Sequence, residues 1–222
     1  RSPLYIVGPR GIKRALSAMM VLWEGLPYRL VVLEKPAGCF SINSDILREI
    51  EISTLDLDHS TECLGYSLYF KRNREFDMDK ALENQVPKRL WRHLQAGQTF
   101  YVDDVSYTPD MVLGKPRPGI KFSYITDTRP IDAIIPFIES SRLFVCEAMY
   151  GDDLDIGKAV KNKHMTFREA ANLAYKGQVD QLLLTHFSPS LDSPSDYIEN
   201  ASSVFKNTSL AYDGINISIG YP

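Results

Sequence analysis

His59, Asp127 and His186 are the residues of this 222-residue chain whose types are best suited to chemistry, each lying at the edge of a strand-like segment. Neutral imidazoles and carboxylates are the usual donors to a hydrolytic zinc ion, and a carboxylate can bridge two cations a few ångströms apart. Two cations so held would make hydroxide available near neutral pH and clamp the attacked and leaving oxygens of a phosphodiester. Taken singly, each residue has a plainer explanation. His59 before a strand is accounted for by hydrogen-bonded packing, and Asp127 before Thr128 by an Asx-turn. His186 follows Leu182-Leu183-Leu184-Thr185, and a titratable ring at the mouth of a buried strand needs a polar partner or a cation.

The elements that must position these groups are readable in the apolar runs. Lys121 to Thr126, Leu143 to Val145 and Gln181 to Thr185 have strand length, and each delivers polar residues at its C-terminal end: Asp127, then Cys146 and Glu147, then His186. Thr166-Phe167-Arg168-Glu169 is a capping-box sequence, followed by Ala170, Ala171, Leu173 and Ala174 and stopped by Gly177, so a helix connects the last two runs. A right-handed strand-helix-strand crossover is expected, collecting ligand groups beyond the carboxyl ends of an open α/β sheet. Towards the N-terminus, Leu4 to Val7 reads as a strand stopped by Gly8-Pro9-Arg10-Gly11. Ile12 to Gly25 reads as a helix with apolar positions Ile12, Leu16, Met19, Met20 and Trp23. Tyr28 to Glu34 predicts a strand broken at Lys35-Pro36-Ala37-Gly38, and Leu64, Tyr66, Leu68 and Phe70 alternate as a half-buried one.

Composition is that of ordinary globular material, with 44% hydrophobic and 24% charged residues and enough apolar chain for one sizeable core. The three cysteines, Cys39, Cys63 and Cys146, are odd in number and form no Cys-x-x-Cys pair. Reduced structural thiols and a cytoplasmic setting are therefore expected. No apolar stretch approaches the roughly 20 residues of a membrane helix, and the opening residues lack a signal-peptide pattern, so no membrane partner is expected. The net charge of −3 does not advertise nucleic-acid binding. The segment from Lys71 to Arg92 is different: Lys71, Arg72, Arg74, Lys80, Lys88, Arg89 and Arg92 face only Glu75, Asp77, Asp79 and Glu83. A solvated surface insert and a phosphate-contacting arm are both open readings of that excess. Its helical pattern runs from Asp77, breaks at Pro87, resumes with Leu90, Trp91 and Leu94, and closes at Gly97.

Several short motifs in order carry a resemblance: Leu57-Asp58-His59-Ser60 with Gly65-Tyr66, Tyr124 to Pro130, Glu147-Ala148, His164-Met165-Thr166 with Glu169-Ala170-Ala171, Thr185-His186-Phe187-Ser188, and Ala211-Tyr212-Asp213. This set resembles the ribonuclease Z family, the tRNA 3′-processing endonucleases of the metallo-β-lactamase superfamily, and Thr126-Asp127-Thr128-Arg129 is its most diagnostic piece. The resemblance implies an α/β fold, the αββα sandwich of that superfamily, over residues 1–222, with an inserted tRNA-binding arm over 71–97. It implies that His59 ligates one zinc ion, that Asp127 bridges two and that His186 ligates the second. Glu147 and His164 would support catalysis, and Lys71, Arg72, Arg74, Lys80, Lys88, Arg89 and Arg92 would hold precursor tRNA. A homodimer is the family's assembly.

Three departures accompany the resemblance. The family's His-x-His-x-Asp-His cluster does not occur in these residues, so the chain is expected to be a portion of a longer enzyme whose first strands complete the sandwich. Cys146 stands where the family places a proton-donating histidine, and a thiol does not inherit that role, which leaves it to Glu147 and His164. Pro87 is followed by Lys88-Arg89 rather than forming the arm's Gly-Pro pair. Two other functions fit the same residues: another phosphodiesterase or hydrolase of the superfamily, and a non-catalytic scaffold that keeps the fold with an incomplete metal site.

Overall fold

A computed structural model describes residues 2–21, 25–34, 38–44 and 48–221, and two compact units make it up. The larger is built from the residues before Lys71 together with Ile120–Gly220. It opens with β1 (Leu4–Gly8), α1 (Ile12–Met20) and β2 (Leu30–Glu34), and β1 and β2 pair in parallel, with Leu4 opposite Leu30. The helix ends at Met20 rather than reaching Gly25, and β2 starts two residues later than the sequence predicts. Trp23 and the break at Lys35-Pro36-Ala37 lie outside the described residues.

Next come β3 (Gly38–Ser44), β4 (Arg48–Asp56) and β5 (Leu64–Arg72), an antiparallel set in which Ile52 of β4 faces both Phe40 and Leu68. Ile50, Ile52 and Thr54 alternate inward along β4, the period-2 pattern of a strand with one covered face.

Lys71–Gly119 forms the smaller unit, joined by Tyr221. It contains α2 (Met78–Glu83) and α3 (Lys88–Gln95), followed by a hairpin of β6 (Phe100–Val102) and β7 (Val105–Tyr107). Asp77 caps α2 by accepting the Lys80 N–H at 2.9 Å, and Pro87 immediately precedes α3, where its missing N–H costs nothing. Asp103 and Asp104 at the hairpin tip have φ of 49° and 63°, the pair of left-handed residues that a two-residue turn requires. Ala81, Val86, Leu90, Leu94, Val112 and Leu113 form the unit's own buried core.

The chain returns to the large unit through β8 (Arg117–Ile125) and α4 (Ile134–Ile138), then β9 (Leu143–Glu147), α5 (Ile156–Asn162), α6 (Phe167–Lys176), β10 (Leu182–Thr185), α7 (Glu199–Ser202) and β11 (Thr208–Leu210). Among the described residues the main sheet has seven strands in the order β11-β10-β9-β8-β5-β4-β3, and β8 through β11 run parallel. Phe144, Cys146, Leu182 and Leu184 pack against Ile134, Ile138, Phe167 and the alanines of α6. On the opposite face Leu143, Val145 and Leu183 meet Ile215, Ile217 and Ile219. Both faces of β9 and β10 are thus covered, which is why these two strands read as apolar runs.

The capping box at the start of α6 is complete, Thr166 and Glu169 each satisfying the other's backbone N–H, a device of about 1 kcal/mol. At the other end, a Cβ on Gly177 would sit 2.6 Å from the Ile138 side chain, so glycine is needed there for α4 and α6 to approach. No helix among the described residues is long and apolar enough to cross a membrane.

Candidate metal centre

The register of the parallel strands decides which residues share a rim. Ile125 of β8 lies beside Cys146 of β9, which lies beside Leu184 of β10. The residues just beyond, Asp127, Glu147 and His186, therefore emerge at the same end of the sheet. Asp127 and His186 have φ of 53° and 60°, a left-handed backbone rare for residues with a Cβ. Such departures collect at functional sites, where surrounding contacts hold them. Here the turns fold both side chains back over the strand ends, and His186 Nε2 lies 2.8 Å from Asp127 Oδ1.

His59 and His164 join them from two loops. Donor atoms of His59, Asp127 and His164 all lie within 4.8 Å of one another, and the His164 ring centroid is 5.0 Å from that of His59 and 5.3 Å from that of His186. Of the chain's four histidines, only His93 in the smaller unit lies outside this cluster. The resemblance implied His59, Asp127 and His186 as ligands. The structure brings the donor atoms of His59 and Asp127 together with that of His164 and places His186 against Asp127.

The imidazoles are oriented from behind. His59 Nδ1 lies 3.1 Å from the Lys163 carbonyl, and His164 Nδ1 lies 3.0 Å from Glu147 Oε1. A carbonyl only accepts, as does Glu147 when ionised, so each contact then selects the Nδ1–H tautomer and leaves Nε2 with its lone pair. Glu147 is fully buried, and it also accepts the N–H of Thr128 and, at 3.2 Å, that of Met165. Burial pushes its carboxyl up to about 7, against the lowering effect of those two backbone N–H groups. Burial lowers the His164 pKa, as does the neighbouring His59, with Asp127 opposing.

The imidazoles of His59 and His186 with the Asp127 carboxylate form a nitrogen and oxygen set of borderline softness, which fits a zinc-like divalent cation. Cys146 takes no part. It is fully buried beside Met165, 3.7 Å from sulfur to sulfur, and burial holds its thiol well above the usual range.

Motif reading included Asp58, Thr128 and Arg129 but gave them no role, and it passed over Lys163, yet these residues fasten the site. Asp58 and Arg129 form an isolated antiparallel bridge, in which the Arg129 N–H donates to Asp58 O at 3.0 Å and the Asp58 N–H to Thr128 Oγ1 at 3.0 Å. Lys163, itself left-handed at φ 58°, donates from Nζ to Asp58 Oδ1 at 2.7 Å.

Along 220 residues the chain is 59% identical to a ribonuclease Z of Clostridioides difficile, spanning 99% of this chain and 72% of that protein. It is 47% identical over 221 residues to a ribonuclease Z of Clostridium beijerinckii, again spanning 99% and 72%. No family model matches the chain. Among solved structures it resembles the short form of human tRNase Z, with a TM-score of 0.62 at 20% identity, covering 98% of this chain and 68% of that one. It also resembles a metallo-beta-lactamase fold protein from Bacillus subtilis, with a TM-score of 0.60 at 16% identity, covering 96% and 64%. The fold is thus the metallo-beta-lactamase fold.

Proposed function

The chain belongs to the ribonuclease Z family, and from that premise we propose that it is a metal-dependent endoribonuclease that removes the 3′ trailer of precursor tRNA after the discriminator base, leaving a 3′-hydroxyl. The observation that carries this reading is the convergence of His59, Asp127 and His164 at one point, with His186 held on Asp127. In this reading His59, Asp127 and His186 would hold the zinc. Bound there, divalent cations supply Lewis-acid stabilisation of the phosphodiester oxygens and a water acidic enough to attack near neutral pH.

The remaining roles fall to the chain's own groups. His164 presents Nε2 to the site while Glu147 holds its Nδ1–H, so Nε2 can take up the proton that the attacking water loses and, as an imidazolium facing a buried carboxylate, pass that same proton to the leaving oxygen. In the smaller unit, Lys71, Arg72, Arg74, Lys80, Lys88, Arg89 and Arg92 are the candidate contacts to the tRNA backbone, with Lys88, Arg89 and Arg92 exposed together on α3. Contacts of that kind set position without reading sequence. The same reading places the enzyme in the cytoplasm as a homodimer.

The test is cleavage of a precursor tRNA by the full-length protein. Zinc-supported cleavage at the trailer junction, lost on chelation and restored by added zinc, is expected. Equal turnover of small phosphodiesters with no preference for tRNA would instead assign another phosphodiesterase activity, and failure to bind zinc would point to a scaffold.

A further inference from the structure

Arg129 sits two residues beyond Asp127 and reaches the opposite wall of the site. Its guanidinium forks onto Glu169, with Nη1 donating to Oε2 at 2.9 Å and Nη2 donating to Oε1, and Nη1 also donates to the carbonyl of His164. The two side chains are 18% and 22% exposed, enclosed enough that water competes weakly for the pair. Glu169 is engaged a second time, because Oε2 accepts the Thr166 N–H at 2.9 Å within the capping box of α6.

Residues 163–166 are consequently fastened at every position. Lys163 holds the His59 ring through its carbonyl and Asp58 through its ammonium. His164 is held by Arg129 at the backbone and by Glu147 at the ring. Met165 donates to Glu147 and Thr166 to Glu169. Arg129 and Glu169 together join this loop both to the strand end that carries Asp127 and to the start of α6.

We propose that Arg129, acting with Glu169, is a positioning residue that fixes the His164 and His59 imidazoles relative to Asp127. The consequence for catalysis rests on the nuclease reading, whereas the consequence for imidazole geometry does not. Lysine cannot replace the arginine fully, because one ammonium cannot span both carboxylate oxygens and a carbonyl in the planar geometry of a guanidinium.

The experiment uses the full-length protein carrying Arg129→Gln, Arg129→Lys or Glu169→Gln, with Arg142→Gln as a control that removes the exposed ion pair to Asp180 in the same unit. Three quantities are read: kcat and KM on precursor tRNA, zinc affinity by chelator competition, and the imidazole nitrogen NMR signals of His59 and His164. For Arg129→Gln, kcat and zinc affinity should each fall about 10- to 100-fold with KM within about twofold of wild type, the range seen when a residue supporting a metal ligand is lost. Arg129→Lys should recover part of the loss, both imidazole signals should move in either variant, and Arg142→Gln should change nothing. Glu169→Gln retains a carbonyl acceptor for the cap, so it serves if Arg129→Gln does not fold. Wild-type kcat with unmoved imidazole signals in a folded Arg129→Gln protein would overturn the proposal, as would a kcat that falls only in step with melting temperature. If wild-type protein proved inactive on tRNA, the nuclease reading would fail while zinc affinity and the imidazole signals still decided the role of Arg129.

Discussion

At the rim of the larger unit Glu147, His164, Asp127, Arg129 and Glu169 are all committed to one another or to the backbone, whereas on α3 of the smaller unit Arg89 and Arg92 are exposed and make no ion pair or hydrogen bond through their side chains among the described residues. The basic residues of the smaller unit are themselves divided. Arg74 donates to the carbonyls of Gly114 at 2.6 Å and Leu113 at 3.0 Å as well as to Asp110, and Lys80 reaches Leu113 O at 3.1 Å. A reacting centre needs donors locked before the substrate arrives, because reorganisation during the reaction raises the barrier. A surface meant to track a polyanion needs cations left uncommitted, so that phosphate can displace their counterions.

The sharpest way to break this contrast is at the shared carboxylate. Asp127→Asn keeps the size of the side chain and removes its charge, and as a direct donor it should cost more than the about 10- to 100-fold typical of residues that only support a donor. Single-turnover cleavage measures this, and near-normal rates would mean that the reacting centre lies elsewhere. Next in size is the triple replacement of Lys88, Arg89 and Arg92 by Ala. KM for precursor tRNA should rise about tenfold with kcat unchanged, and the plot of log affinity against log salt should flatten by about 2 to 3 units if each cation neutralises one phosphate. Filter binding across a salt series reads the slope, and an unchanged slope would dissolve the distinction between the two regions. The smallest effect belongs to Arg74→Ala, which should leave the salt slope almost intact and lower unfolding stability by about 1–3 kcal/mol through its hydrogen bonds to Gly114 and Leu113. Denaturant titration checks it, and a large loss of tRNA affinity without loss of stability would return Arg74 to the phosphate-contacting group.

Much of the candidate site was legible because β9 and β10 are covered on both faces. Their buried runs are apolar, so Glu147 and His186 stand out as polar groups at the rim, and Asp127 follows β8 in the same way although that strand buries Ser123. The capping box and Pro87 were legible because they act on their own immediate neighbours. What stayed hidden depends on distant partners. Arg129 and Glu169 are 40 residues apart, and no periodicity connects them. Cys146 stands where the family places a histidine but was expected to be a structural thiol, and strand alternation puts it with Phe144 in the core, a parity that Leu143-Phe144-Val145 already displayed. β3 and β4 went unread because their apolar residues are spaced by polar ones, as Ile50 and Ile52 are in β4, and the β6–β7 hairpin because each strand has only three residues.

Four consecutive residues, Lys163 to Thr166, each answer to a different neighbour, and that arrangement fixes the number of links between α5 and α6. Adding or deleting a single residue there would turn every following carbonyl and amide away from its mate, so this stretch must keep its length through any drift in sequence. The Asp103-Asp104 bend is bound by no such count, and insertions can accumulate at that tip while the span beside His164 stays invariant.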